Sequence, residues 1–263
     1  MNRSGERITN TVLFTLALIG LMFFMIPVVS LLARMPWNRV PEVISNREIW
    51  GALRISLIVS TIAVALSFIF GFPIAWIMTR YSSRWTRIIR VIVLMPMVLP
   101  PIVGGVALLS AFGINSPIGE LLDIVGIRLP FTMAGAILAA TFVSSPFMII
   151  TLESGMQSLS MPLEQAGQAL GATQWTIIRK IILPGLRPAI IGGTALTWAR
   201  AMGEFGATIA FAGNRPGHTQ TLPLAIYQAL QSDMDRALLI SAELILITAC
   251  LMIFVRTRSM GDD

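Results

Sequence analysis

Residues 160–188 read SMPLEQAGQALGATQWTIIRKIILPGLRP, a polar stretch set between long apolar runs. Pro162 stands where a first helical turn tolerates a residue without an N–H, and Leu163, Ala166 and Leu170 recur at helical spacing until Gly171 supplies a C-terminal stop. A second short helix follows, with Thr173 as its N-cap, Trp175, Ile178 and Ile182 as its apolar stripe, Arg179 and Lys180 in its last turn and Pro184 at its end. Two short amphipathic helices joined at a glycine and flanked by membrane spans have the pattern of a docking surface for another molecule, the other reading being an ordinary amphipathic loop.

The surroundings make it a loop of a membrane protein. The 263 residues are 55% hydrophobic and only 12% charged, which excludes an ordinary soluble domain. Six apolar runs, near 11–33, 52–79, 88–112, 132–156, 188–212 and 237–257, are long enough to cross about 30 Å of hydrocarbon. The fold expected is therefore an all-α integral membrane protein with six transmembrane helices. The first run is too long for a signal-peptide core and lacks a small-residue cleavage site, so it stays as a span. With the N-terminus inside, eleven Lys and Arg residues fall on the inner side, among them Arg80, Arg84, Arg87 and Arg90, against seven on the outer side. This bias predicts cytoplasmic termini and a cytoplasmic 160–188 loop, and it makes the arginine cluster a topology determinant. The net charge of +6 is spread between spans instead of forming one patch, which sets nucleic acid aside.

Two spans carry residues that lipid does not tolerate cheaply. The third opens LMPMVLPPIVGG (94–105), and helix breakers such as Pro100, Pro101 and Gly104 persist at membrane depth only where protein or a water-filled cavity satisfies the freed backbone. That leaves two readings, a pathway segment or a kinked span that only packs. The fifth holds Arg200 and Glu204 four residues apart, each costing about 2.5–3.5 kcal/mol alone at a helix centre but able to neutralise one another on one helical face. Gly192, Gly193, Gly203 and Gly206 in the same run allow close backbone approach. Elsewhere, Gly71 and Pro73 predict a bend in span two, Leu121, Leu122 and Ile124 a short outer helix, and Glu153 a snorkelling carboxylate near the inner interface.

Catalysis finds no foothold. Cys250 is the one cysteine and His218 the one histidine, so neither a disulfide nor a metal cluster is available, and no G-x-x-x-x-G-K-[ST] loop occurs. Any nucleotide chemistry belongs to another chain.

Gln165-Ala166-Gly167, three residues, Gly171, nine residues and Ile181-Ile182-Leu183-Pro184 resemble the EAA loop, E-A-A-x3-G-x9-I-x-L-P, of permease subunits in binding-protein-dependent ABC importers. Gln165 replaces the usual glutamate and Gly167 an alanine, with Glu164 one position earlier. Residues 199–230, with GEFG and TQTLPLAIY, are similar to permeases for molybdate, tungstate and, less closely, sulfate. The resemblance implies an N-terminal helix and outer segment over 1–49, a permease domain with a five-helix core over 50–257, and a short tail over 258–263. It implies two cytoplasmic ATPase subunits, holding ATP and magnesium, docked on Glu164, Gln165, Ala166, Gly171, Trp175, Ile181, Leu183 and Pro184. An extracytoplasmic oxyanion-binding protein and a second permease copy complete the assembly it implies, in the cell membrane and with no cofactor on this chain. The path would run past Pro100, Pro101, Gly104, Arg200, Gly203 and Glu204. A sulfate importer is the near alternative, and an ion-coupled secondary transporter using Glu204 and Glu243 is the alternative of another class.

Overall fold

A computed structural model describes residues 3–81, 83–159 and 161–259, and their side chains except in 3–9, 161–163, 166 and 254–259. All regular structure among them is helical. The first half runs through α1 (Arg3–Ala33), a 3-10 turn (Trp37–Arg39), α2 (Val40–Ser45), α3 (Arg47–Arg80), α4 (Arg84–Val98), α5 (Pro101–Phe112), α6 (Pro117–Ile124) and α7 (Met133–Ser158). The second half runs through α8 (Met161–Ala169), α9 (Gln174–Ile177), a π-helical turn (Ile178–Ile182), α10 (Leu183–Gly185), α11 (Arg187–Met202), α12 (Gly206–Ala212), α13 (Leu222–Leu230) and α14 (Met234–Ser259).

Four helices are long and apolar enough to span a membrane, Asn10–Ala33 of α1, α3, α7 and Met234–Ile253 of α14, and two bent pairs raise the number to six. The third run is interrupted as its helix breakers announced, and the fifth, expected as one span, is broken as well. Between α4 and α5 the axis turns by 117°. Leu99 is extended ahead of Pro100, as a pre-proline residue must be, and Pro101 begins the new helix without an N–H to satisfy. The expected span 188–212 breaks after Met202 and restarts at Gly206, while its other end joins the α9–α10 segment at a 68° bend. By contrast, Pro73 lies inside α3 without ending it, and α6 is the short helix expected in the loop after α5.

The core is a seam of small residues. On α3 Ala63, Ser67, Gly71 and Ala75 are buried at every fourth position, and on α7 Ala136, Ala140 and Ser144 repeat the spacing. Small side chains at that period let two helix backbones close on one another in lipid, where packing rather than water exclusion drives association. A Cβ on Gly71 would stand 2.9 Å from Ile149 Cγ1, and one on Gly193 of α11 3.1 Å from Met148 Sδ, so α3, α7 and α11 meet at one level. From that level onward Met148, Ile149, Leu152 and Met156 of α7 pack with Ile177, Ile182 and Leu186, which fixes the segment after α8 to the bundle. The membrane-length part of α1 buries nothing in this chain.

A set of charges ties the segment before α3 to the start of α14. Arg39 reaches Glu42 at 3.0 Å, Asp233 at 2.9 Å and Asp235 at 3.3 Å, and Arg236 reaches Glu48 at 3.1 Å. The hydrogen bond from Arg39, aided by backbone donors at the start of α14, pulls Asp233 down to about 2, and the same guanidinium lowers Glu42.

Candidate functional site

The 160–188 segment, expected to dock a partner, is built as two helices back to back. Gly171 takes the left-handed conformation at φ +77°, the backbone state that lets α8 stop and the chain turn, and Thr173 accepts the Thr176 N–H to cap α9. A Cβ on Gly167 would lie 3.1 Å from Ile181 Cδ1 and 3.5 Å from Ile177 Cγ1, so the glycine in the third motif position is where α8 lies against the second helix. The chain does not stop at Pro184 as expected. The π turn Ile178–Ile182 widens the helix just before the proline, which then opens α10 at a position needing no N–H donor.

The buried face differs from the expected one. Ile177 and Ile182 are buried and Ile178 and Ile181 half-buried, while Trp175 is 68% exposed. Leu170 lies beyond the end of α8 and is 88% exposed, and the side chains of Leu163 and Ala166 lie outside the described residues. Gln165 faces out, Leu183 is half-buried and Pro184 exposed. Glu164 instead turns inward and pairs with Arg80 at the end of α3, whose guanidinium also lies 4.5 Å from the Trp76 ring centroid. Glu153, expected as a snorkelling carboxylate, is buried on α7 and paired with Arg90 of α4. Two arginines expected only to set topology thus tie α8 to α3 and α4 to α7. Their recurrence at helical spacing was visible in the sequence; their partners, 84 and 63 residues away, were not.

At the far end of α11 the chain breaks around Glu204. This residue lies past the helix end and not on its face, yet its carboxylate still meets Arg200, with Oε2 2.7 Å from Nη1 in an ion pair not aligned as a hydrogen bond. Oε1 accepts the Ala207 N–H at 2.8 Å and so caps α12. Glu204 is 2% exposed, Arg200 half-buried, and Gly203 exposed. The start of α5 crosses here at backbone contact. A Cβ on Gly206 would be 2.9 Å from Pro101 Cβ, and one on Gly105 would be 2.6 Å from Ala210 Cβ and 2.7 Å from the Ala207 carbonyl oxygen. Gly104 is buried against the Phe142 ring, whereas Pro100 and Pro101 face out beside exposed Val98, Ile102 and Val106. The structure therefore brings Pro101 to the joint that holds Arg200, Gly203 and Glu204, and adds Gly105 and Gly206 to the set. It does not bring the docking residues there. The 16 residues of α11, about 24 Å of helix, separate the two and join them.

The chain thus has a packed pair of short helices at one end of α11 and a broken, charged joint at the other. It belongs to the family of binding-protein-dependent transport system inner membrane components, which residues 71–257 match, and is thus an ABC importer permease subunit. Among its relatives, the molybdenum transport system permease protein ModB of Mycobacterium tuberculosis is 38% identical over 248 residues, 94% of each chain. The sulfate transport system permease protein CysT of Escherichia coli is 35% identical over 223 residues, 85% of this chain and 80% of its own. In fold, the chain is similar to one from a bacterial ABC transporter for import of the acidic polysaccharide alginate, with a TM-score of 0.77, 17% identity and 99% of both chains covered.

Proposed function

We propose that this chain is the permease subunit through which molybdate, or its near equal in size tungstate, enters the cell. The observation that carries the reading is the similarity to ModB along 94% of both chains, joined to a half-buried arginine at the break between α11 and α12. Two copies would face each other across the exposed flank of the α4–α5 bend, where Val98, Pro100, Pro101 and Ile102 present an uncovered apolar surface. A partner ATPase pair, holding ATP and magnesium, would seat on the exposed side of the docking segment, with Gln165, Leu170 and Trp175 outward in the cytoplasm. Because Ile177, Ile182 and Leu186 are packed into the α7 core, movement of that seat is carried into α7 and α11 without slack. Rocking α11 moves the joint at its other end, which would open the path alternately to either side. Capture of the anion falls to an extracytoplasmic binding protein, so Arg200 need only attract a dianion in transit.

Sulfate import is the second reading, favoured by the similarity to CysT. Proteoliposomes holding this chain, its ATPase and its binding protein decide between them. ATP-dependent molybdate uptake, measured by elemental mass spectrometry and suppressed by tungstate but not by excess sulfate, is expected. Sulfate outcompeting molybdate would move the assignment to sulfate, and uptake driven by an ion gradient without the ATPase would overturn the importer reading.

A further inference from the structure

Beside the docking segment lies a cavity of about 660 Å³ at the turn between α3 and α4, whose lining includes Arg80, Ser83, Arg84, Arg87 and Arg90. Four guanidiniums there face two carboxylates: Arg80 is held by Glu164 and Arg90 by Glu153. Arg84 and Arg87 have no acidic partner among the described residues, and the Nε of Arg80 is buried without an acceptor. The lining holds no carboxylate, so two positive charges are left unanswered around an open hollow at the N-terminal end of a 15-residue helix. An anion with several acceptor oxygens is the chemistry that fits.

The same helix says what the anion is attached to. From Arg84 and Arg87 onward, Ile88, Val91, Ile92 and Met95 are all exposed and step at i, i+3, i+4 and i+7, a single apolar face leading away from the cavity. Tyr81 of the lining and Trp85, next to Arg84 in the chain, are both exposed, residues suited to the headgroup layer. A free oxyanion would use only the hollow; a molecule with a phosphate head and hydrocarbon tails uses both. We propose that the cavity is a binding site for an anionic phospholipid, with the phosphate between Arg84 and Arg87 and the acyl chains along the exposed face of α4. The placement rests on the reading above that the docking end lies at the cytoplasmic leaflet. A bound phosphate answers the two spare charges, and so leaves Arg80 to Glu164 and Arg90 to Glu153.

The test is lipid retention by the full-length chain, purified in neutral detergent, offered phosphatidylglycerol and phosphatidylcholine in equal amounts and read by native mass spectrometry. Wild type is expected to retain mainly phosphatidylglycerol, and the Arg84→Gln, Arg87→Gln double variant to retain the two equally. The Arg84→Lys, Arg87→Lys variant, which keeps the charge, is expected to keep the preference, so that a loss caused by misfolding is recognised. Equal retention by wild type, or an undiminished preference in the Gln variant, overturns the proposal. Displacement of the lipid by excess inorganic phosphate also overturns it, and makes the hollow a site for a free oxyanion. Because the readout is lipid on the isolated chain, it stands or falls independently of which anion is transported.

Discussion

Glu204 serves two partners with one carboxylate, the guanidinium of Arg200 and the N–H of Ala207. A simple ion pair would make the two alanine substitutions equally harmful and the double substitution a partial rescue. Here the losses are unequal. Glu204→Ala removes a cap worth about 1 kcal/mol and strands a cation whose isolation costs about 3–5 kcal/mol, whereas Glu204→Gln keeps an acceptor for Ala207. We expect Glu204→Ala to cost more folded protein than Glu204→Gln by thermal melting, and Arg200→Gln with Glu204→Gln to assemble and hydrolyse ATP but not import. Import by that double variant at the parent's rate, at matched protein levels, would remove Arg200 from the path. Elsewhere, Asp233 sits at about 2 against an ordinary value of 3.8 because Arg39 donates to its carboxylate. A depressed carboxylate stabilises the fold above its unfolded value and gives that stability up as the pH falls toward the folded one. The tie between residue 39 and the start of α14 should thus be complete above about pH 4 and lost on the way to about pH 2. Melting curves across that window should be flatter for Asp233→Asn than for wild type, and equal slopes would contradict the assignment.

Among the helices, two glycines matter for opposite reasons. Gly105 lies where α5 presses on the backbone of α12, so no side-chain adjustment can admit a larger residue, and Gly105→Val should cost at least about 1–3 kcal/mol and much of the folded yield. A Cβ on Gly171 would meet nothing within 4 Å, and only its φ of +77° resists substitution. Gly171→Trp is therefore expected to lower the melting temperature only by the left-handed backbone strain, about 1–2 kcal/mol, while weakening ATPase copurification, and Gly171→Asn to be nearly silent. Normal copurification with Gly171→Trp would detach the joint from docking. The caps and stops of this segment were legible because they are local: Gly171, Thr173 and the proline positions act on their own backbone. Which side of α9 is buried was not legible, because Trp175 and Ile177 both begin an apolar stripe, and the choice falls to the α7 core. The proline run before α5 announced an interruption without its angle. The break at Gly203–Phe205 gave only a glycine as warning, since its stabilising contact, the Glu204 cap, exists only once the helix has stopped.

Taken whole, the molecule divides labour between a tightly packed triad of α3, α7 and α11 and peripheral helices with faces open to lipid or partners. The membrane-length part of α1 buries nothing, and the crossing of α5 with α12 leaves one flank of α5 uncovered. Composition made the six apolar runs plain, but a hydropathy count cannot separate a rod from two helices at 117°. The sequence holds no phosphate-binding loop, so the purified chain is expected neither to bind nor to hydrolyse ATP, with hydrolysis appearing on reconstitution with its ATPase and rising when loaded binding protein is added. Nucleotide binding by the chain alone, measured calorimetrically, would contradict this.

One contact also turns the chain into its own optical instrument. Phe68, Phe72 and Trp76 line up along α3 with ring centroids 5.9 and 6.3 Å apart, and Arg80 closes the row over the indole. The same guanidinium is gripped by Glu164 of the docking segment, so any movement of that segment changes the charge resting on an indole. With the other five of the six tryptophans replaced by phenylalanine, the emission of Trp76 is expected to report in real time, without a dye, any movement of that segment against α3.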